Sequence, residues 1–201
     1  MPSNLTRRRV LGASVAAVAL SLASRPALAL DDNRARTLID QVVSDINRVI
    51  SSGQPLSRMI SDFERIFTRY ADVSIIARST LGADANRASA AQLKAYTAAF
   101  QGYIARKYGK RFNEFVGGRI EVNTVRQVKS WHEVKSTAYL RGQSPFEVSF
   151  LVSDRSGKDL FFDMIIEGIS LRLSERTEIG AMLDRRNGDI NALIEDIKRG
   201  G

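Results

Sequence analysis

The residue types that most often carry out enzyme chemistry are scarce in this chain of 201 residues. It has one histidine, His132, and no cysteine, which excludes thiol catalysis and thiolate metal sites. A metal centre would need several carboxylates around His132, yet no H-x-x-x-H or D-x-D-x-D spacing occurs. No serine lies in a G-x-S-x-G context, and no helix signature of a phosphate loop follows Gly117-Gly118. Glu175 and Glu178 have the spacing of ordinary first-turn helix charges. The sequence favours a protein that is not an enzyme and uses no metal or cofactor.

Apolar residues are abundant instead, and their spacing predicts helices in the first half of the chain. From Asp31 to about Phe115, apolar side chains recur with the helical period. The first helix should end at residues 52–55, where Gly53 and Pro55 interrupt the pattern. A later helix should run from an N-cap at Ser89 to about residue 108.

After Gly117-Gly118 the pattern changes to the two-residue alternation of strands. Alternating sets cover residues 120–124, 132–140 and 146–152, and residues 160–173 should form one long strand or two short ones. On its strand, His132 is expected at the surface or the rim. Helical spacing returns at residues 175–185 and, after an N-cap at Asp189, at residues 190–197. The order predicts an α+β fold with helices packed over one face of a curved antiparallel sheet.

The first 29 residues have the features of a secretory signal peptide. Arg7, Arg8 and Arg9 precede an apolar run of 14 residues from Val10 to Ala23, which is shorter than the roughly 20 residues that span a bilayer. Residues 26–29 (PALA) form a cleavage motif, so we expect the cut after Ala29 and export to a bacterial periplasm. The arginines also resemble a twin-arginine signal, and an arginine-rich general secretory signal is the alternative.

Residues 30–201 would then form a single domain. Loss of the four arginines of the signal lowers the formal net charge from +8 to +4, so the sequence does not favour nucleic acid as a partner. The remaining positive charge would suit anionic partners such as phospholipid head groups, or would serve solubility alone. No second apolar run reaches membrane-spanning length, and we expect a soluble monomer whose core needs no disulfide.

Two segments carry a resemblance to a known family. Residues 67–82 (FTRYADVSIIARSTLG) resemble the "D-x-x-x-(I/L)-A-R-x-x-L-G" helix of the MlaC/toluene-tolerance family of periplasmic phospholipid-binding proteins. Gln92, Phe100 and Tyr108 match the helix that follows it. Residues 162–171 (FDMIIEGISL), with Arg176, resemble the family's "D-V-x-(V/I)-E-G-(V/I)-S-L" stretch. Gly188 and residues 193–194 fit its closing helix. One departure is that residues 83–87 lack the aromatic side chain that often follows the Leu-Gly step.

The resemblance implies a cystatin-like or nuclear-transport-factor-like cone around an apolar lipid pocket. It also implies a carrier that shuttles phospholipid across the periplasm and helps to maintain outer-membrane lipid asymmetry. Its partners would be an inner-membrane ABC transporter complex with its substrate-binding subunit and an outer-membrane lipoprotein–porin complex. Alternatives are a carrier of another membrane lipid such as a hopanoid, a periplasmic adaptor with a filled core, and a secreted enzyme that does not use His132.

The predicted pocket lies between the apolar faces that helical spacing and strand alternation predict for the helices and the strands. Phe162, Met164 and Ile166 should share the face of Phe150, with Phe161 on the opposite face. The sequence does not distinguish a lined pocket from a filled core. The twelve predicted lining residues are Phe67, Ile76, Phe100, Ile104, Tyr108, Val134, Val148, Phe150, Val152, Phe162, Met164 and Ile166.

Basic side chains near the pocket mouth would approach a lipid phosphate, and Arg78, Arg106 and Lys107 are the candidates. Asp163, Gly168 and Ser170 are interpreted as structural. Gly168 in particular would permit a bend between two strand halves.

Overall fold

The computed structural model describes residues 30–201, and the predicted signal peptide lies outside them. Helices occupy both ends of this range, and the strands lie between them. The α helices are α1 (Asp32–Ile50), α2 (Leu56–Tyr70), α3 (Val73–Leu81), α4 (Ala90–Gly109), α5 (Phe112–Phe115), α6 (Leu171–Asp184) and α7 (Ile190–Arg199), with a 3-10 turn at Gly82–Asn86 after α3.

Local side-chain hydrogen bonds define where several of these helices begin. Asp31 accepts a hydrogen bond from the Arg34 backbone nitrogen at the start of α1. Ser89 and Gln92 form a reciprocal capping box on α4, which satisfies two backbone donors that the first turn leaves without partners. Asp189 caps α7. The N-caps predicted at Ser89 and Asp189 are therefore confirmed.

The strands form one five-stranded antiparallel sheet in the order β1-β2-β3-β4-β5. The register shifts between Val122 and Thr124 in β1, and again between Leu151 and Val152 in β3. Such bulges bend a sheet and increase its twist. The strands are β1 (Arg119–Val128), β2 (Trp131–Tyr139), β3 (Phe146–Ser153), β4 (Leu160–Ile166) and β5 (Ile169–Ser170).

The helices pack against one face of this sheet, and the α+β prediction is confirmed. Helix α1 contacts β1, β2 and β3, whereas α3 and α6 contact β4. Helix α4 packs on α2, α3 and α7 in a second layer. Ile39 of α1 and Phe150 of β3 are almost completely buried, and burial of each such side chain contributes about 1.5–3 kcal/mol.

The expected strand at residues 160–173 is wrong beyond Ser170. A tight turn at Glu167-Gly168 separates β4 from β5, and α6 begins at Leu171 instead of near residue 175. The Ser170 hydroxyl accepts a hydrogen bond from the Leu173 backbone nitrogen. This N-cap favours a helix over continued strand pairing.

Among residues 30–201, no helix is both long and apolar enough to cross a membrane.

One smaller difference from the sequence prediction concerns a polar residue. His132 is buried and does not lie at the rim. Its Nε2 lies 3.2 Å from Asp32 Oδ1, because the start of α1 covers that end of β2.

Candidate functional site

A cavity of about 440 Å³ lies between the helices and the inner face of the sheet. That volume is within the range of small-molecule binding sites, roughly 300–1,000 Å³. The described structure therefore contains a lined space in addition to its packed core. The apolar part of the lining is contributed by α1 to α5, by β1, β3 and β4, by the residue that follows β2 and by the segment after β4. These residues are Val42, Ile46, Phe63, Ile66, Phe67, Ile76, Ile104, Tyr108, Phe115, Ile120, Leu140, Phe146, Val148, Phe150, Phe161, Phe162, Met164, Ile166, Ile169 and Leu171.

Aromatic rings form the inner wall of the cavity. The Phe161 ring lies edge-on to Phe150, with centroids 5.7 Å apart, and is tilted against Phe67 at 6.4 Å. Phe63 stacks on Phe67 at 6.3 Å. These contacts hold the wall rigid with apolar surface facing the space.

Nine of the twelve predicted pocket residues line this cavity, and their role as lipid contacts stays a prediction. Three lie outside its lining. Phe100 packs between Tyr96 and Tyr103, while Val134 and Val152 are fully buried in the core. Helical spacing for Phe100 and strand alternation for the two valines assigned all three to apolar faces correctly, but all three are buried where neighbouring side chains pack directly against them. The nine are Phe67, Ile76, Ile104, Tyr108, Val148, Phe150, Phe162, Met164 and Ile166.

The predicted phase of β4 is wrong at its first half. Val152 pairs with Phe161, whereas Leu151 pairs with Asp163, so Phe162 falls at the bulge. Phe161 therefore faces the core. Phe162 borders the cavity but sets its ring edge-on against Trp131, at 6.2 Å. A strict alternation cannot reveal a bulge, so the sequence placed Phe161 on the wrong face.

Six polar residues interrupt the apolar lining of the cavity. Arg111 and Glu114 belong to the connection from α4 into α5, and Gln143 to the loop between β2 and β3. Glu167 lies in the turn after β4, and Arg172 in the first turn of α6. All five of these are half-buried or exposed, so they mark the cavity mouth. The sixth is the buried Asp163 of β4.

Asp163 organises the junction between β4 and α6. Its Oδ2 accepts a hydrogen bond from the Ser170 hydroxyl at 2.6 Å. Its Oδ1 accepts from the backbone nitrogens of Met164 and Arg172, at 2.8 and 3.1 Å. The structural role predicted for Asp163 and Ser170 is confirmed, because three donors on one carboxylate tie the strand to the helix start.

Comparison with known proteins places the chain in a family. The family model described as MlaC protein matches residues 36–199. The chain belongs to the MlaC family. The predicted resemblance is thereby confirmed, and membership in this family points to a binding or transport protein. No curated protein matches the chain.

One solved structure with the same fold as this MlaC-family chain is the phospholipid-binding protein from Ralstonia solanacearum, which was determined in complex with a phospholipid. The two share 16% sequence identity with a TM-score of 0.70, and the match covers 82% of this chain and 95% of the other. At this identity the likeness demonstrates the fold.

The three basic residues predicted near the head group do not line the mouth of this MlaC-family cavity. Arg78 is exposed and donates to Asn86 Oδ1 at 3.0 Å. Arg106 donates to backbone carbonyls at the C-terminal end of α7, including Ile197 at 2.8 Å. Lys107 pairs with carboxylates of α6. The cations at the mouth are Arg111 and Arg172. The sequence did not reveal them, because they lie just outside the segments that resemble the family and no motif marks them.

A polar network lies behind one cavity wall. Glu175 is 2% exposed, and its Oε1 accepts hydrogen bonds from Lys107 Nζ, at 2.7 Å, and from the Tyr108 hydroxyl. Lys107 also pairs with Glu178, which Tyr103 contacts. Glu175 is thus a buried ion-pair partner, and its interpretation as an ordinary first-turn helix charge is wrong because α6 begins one turn earlier.

The network changes the proton affinities of its members. Burial raises the pKa of the Tyr108 hydroxyl, and its hydrogen bond to Glu175 raises it further. Burial alone would lower the pKa of Lys107, but its hydrogen bonds to Glu175 and Glu178 outweigh this effect and raise it. The Lys107 hydrogen bond holds the pKa of Glu178 below its ordinary value. Tyr108 therefore presents a neutral phenol ring to the cavity.

Two features of the described structure bear on the chemistry that the sequence left open for metals and for His132. Within residues 30–201, no group of three or more histidine, aspartate or glutamate side chains is arranged to hold a metal ion. His132 lies on β2 beside Asp32, and it is absent from the cavity lining.

Proposed function

We propose that this chain is a carrier that holds the acyl chains of a phospholipid in its apolar cavity. The observation that carries the proposal is the space of about 440 Å³ between helices and sheet, walled by Phe67, Phe150 and Phe161. Two acyl chains of roughly 16 carbons would cost on the order of 25 kcal/mol to expose to water, at ~0.8 kcal/mol per methylene. A carrier must therefore shield them from water.

Two comparisons support the proposal. The chain belongs to the MlaC family, and the Ralstonia solanacearum protein of the same fold is itself a phospholipid-binding protein determined with a phospholipid. The polar mouth beside an apolar interior suits an amphipathic ligand whose two ends differ in the same way.

We further propose that the carrier works in the periplasm after export through the signal in residues 1–29, by the twin-arginine or the general route. There it would shuttle phospholipid between an outer-membrane lipoprotein–porin complex and an inner-membrane ABC transporter complex with its substrate-binding subunit. That exchange would maintain outer-membrane lipid asymmetry. If the cavity binds acyl chains about as well as the bilayer does, lipid can exchange between them without a chemical step. The proposal therefore includes no enzymatic activity.

The decisive experiment is native mass spectrometry of residues 30–201 purified from a periplasm without detergent. Discrete adducts of phospholipid mass, released on denaturation and identified by fragmentation, support the carrier. Adducts of polycyclic lipid mass would indicate that the carried lipid is a hopanoid and not a phospholipid. A mass without adduct, which stays so after incubation with liposomes, would contradict lipid carriage and favour an adaptor.

A matched pair of variants on β4 links the adducts to the cavity. Met164 lines the cavity, whereas the neighbouring Ile165 does not. Met164→Glu places a charge among the acyl chains and should remove most of the bound lipid. Ile165→Glu introduces the same charge outside the cavity lining, and this variant should retain the bound lipid. Equal lipid content in two folded variants would show that lipid binds elsewhere.

A further inference from the structure

The mouth of the cavity carries charges of both signs, which bears on the class of lipid it accepts. Arg111 and Arg172 supply two guanidinium groups, and Glu114 and Glu167 supply two carboxylates. Charged groups of this kind fix the orientation of a ligand and discriminate among its polar ends. The four differ in how far other groups of the protein already engage them.

The Arg172 guanidinium group has hydrogen-bond donors that no other group of the described protein uses. Its Nε is buried and has no hydrogen-bond partner, and the nearest carboxylate oxygen, Asp163 Oδ2, is 3.5 Å away. That oxygen already accepts from the Ser170 hydroxyl. The side chain is 29% exposed, and its terminal nitrogens donate to no described residue. A phosphate oxygen at the mouth would satisfy them, since guanidinium groups bind phosphate with two parallel hydrogen bonds.

The backbone fixes the positions of two lining residues of the mouth, Arg172 and Glu167. Arg172 lies two residues after the N-cap of α6, and its backbone nitrogen is bound to Asp163. Glu167 and Gly168, with φ of 48° and 81°, form the turn that joins β4 to β5. Positive φ at both central residues is typical of a tight type I′ hairpin turn. The side chains at residues 167 and 172 are therefore presented by a rigid segment.

The two carboxylates of the mouth differ in their surroundings. Glu114 lies 3.6 Å from Arg111 in a pair that is more than half exposed. The exposed Glu167 forms no ion pair with the residues that the structure describes, whereas Glu114 and Asp163 each have an arginine partner. The opening is thus lined by one carboxylate without an ion pair, Glu167, and by one guanidinium group, Arg172, whose single long ion pair with Asp163 leaves its terminal nitrogens without hydrogen-bond partners among the described residues.

We propose that the mouth selects zwitterionic phospholipids with a primary amine, Arg172 binding the phosphate and Glu167 the ammonium group. This inference rests on the proposed function. A phosphatidylglycerol head group offers the phosphate to Arg172 but brings no cation for Glu167, and its net negative charge faces that carboxylate. A lipid without phosphate leaves Arg172 unsatisfied.

The test is a competition between two phospholipids with identical acyl chains. Residues 30–201 are delipidated, incubated with vesicles of equimolar phosphatidylethanolamine and phosphatidylglycerol, separated from them and extracted for quantification. The wild-type chain should take up several-fold more phosphatidylethanolamine. Glu167→Gln should bring the ratio close to that of the vesicles while total lipid changes little. Arg172→Gln should reduce the uptake of both lipids several-fold.

Two further variants complete the design. Arg78→Gln removes an arginine that the sequence suggested for the head group but that lies away from the cavity, and it should behave as wild type. Arg172→Lys keeps the charge without the planar fork and should recover part of the uptake, with thermal unfolding verifying the fold. A wild-type ratio equal to that of the vesicles, or a Glu167→Gln ratio equal to that of wild type, overturns the head-group assignment alone. A wild-type chain that takes up neither lipid overturns the carrier function as well.

Discussion

The backbone nitrogen of Leu30 donates a hydrogen bond to Asp154 Oδ2, at 3.1 Å, across 124 positions of sequence. Asp154 belongs to the loop between β3 and β4, and Arg34 pairs with Asp159 of that loop at 2.7 Å. If the signal is cut after Ala29, the Leu30 nitrogen becomes an α-ammonium group, and the hydrogen bond becomes an ion pair. The start of the mature chain is then attached to the sheet.

We expect Asp154→Ala to lower the free energy of unfolding of residues 30–201 by about 0.5–1 kcal/mol, because a partly exposed ion pair contributes this much. The loss should be smaller in a chain that begins at Leu28, in which the Leu30 nitrogen is an uncharged amide. Urea denaturation measures both, and Arg155→Ala in the same loop is the control. Equal losses in the two chains would show that the ammonium group makes no contribution.

Lys107, which is half-buried, should matter more for stability than an exposed lysine. Lys107→Met leaves the buried Glu175 carboxylate without its cation, and we expect a loss of about 3 kcal/mol, as for other broken buried pairs. Lys198→Met removes an exposed pair with Glu195 and should cost less than about 1 kcal/mol. Denaturant midpoints at neutral pH compare the two. Similar midpoints would mean that water replaces the Lys107 ammonium.

The same network predicts how stability depends on pH. The folded-state pKa of Glu178 is held below its ordinary value by Lys107. Its stabilising contribution is therefore present above the unfolded pKa and is lost as the pH falls through the lowered pKa. The pKa of Lys107 is raised, so its contribution is present below the unfolded pKa and is lost as the pH rises through the raised value. Lys107→Met should flatten both limbs of the stability–pH curve, and an unchanged acid limb would contradict the pairing with Glu178.

Two glycines with open space around them should respond oppositely to alanine. Gly168 has φ +81°, so a side chain there is strained although no atom lies within 4 Å of the added Cβ. Gly168→Ala should cost about 1–2 kcal/mol. Gly180 lies within α6 and also has open space, so Gly180→Ala should stabilise the protein by about 0.5–1 kcal/mol. Thermal unfolding distinguishes them, and lipid content should be unchanged in both.

Phe161 and Phe162 test the bulge in β4. Phe161 packs against Phe67 and Phe150 inside the core, and Phe161→Ala should cost about 3–5 kcal/mol. Phe162 is half-buried against Trp131, and Phe162→Ala should cost clearly less. The order of the two denaturation midpoints checks the register. The opposite order would restore the simple alternation that the sequence suggested.

Much of the fold could be predicted because its signals are local. The helical spacing before residue 115, the N-caps at Ser89 and Asp189 and the alternation of residues 146–152 each depend on neighbours within a few positions. The α+β class follows from their order. The prediction failed at Leu171, where a capping serine ends the strand pattern, and at Phe161, where an extra residue shifts the register.

The sequence by itself determined which residues are apolar, the order of the elements and the resemblance to a family. The tertiary structure alone decided which apolar residues surround empty space and which fill it. Val134 and Val152 have the same phase as Val148 and Phe150, yet only the latter two border the cavity. The tertiary structure also decided which cations lie at the cavity mouth: Arg172 lies there, whereas Arg78 lies elsewhere. A cavity remains where the side chains of two elements do not fill the space between them. That space depends on how elements far apart in the sequence pack together, and the local sequence pattern does not determine it.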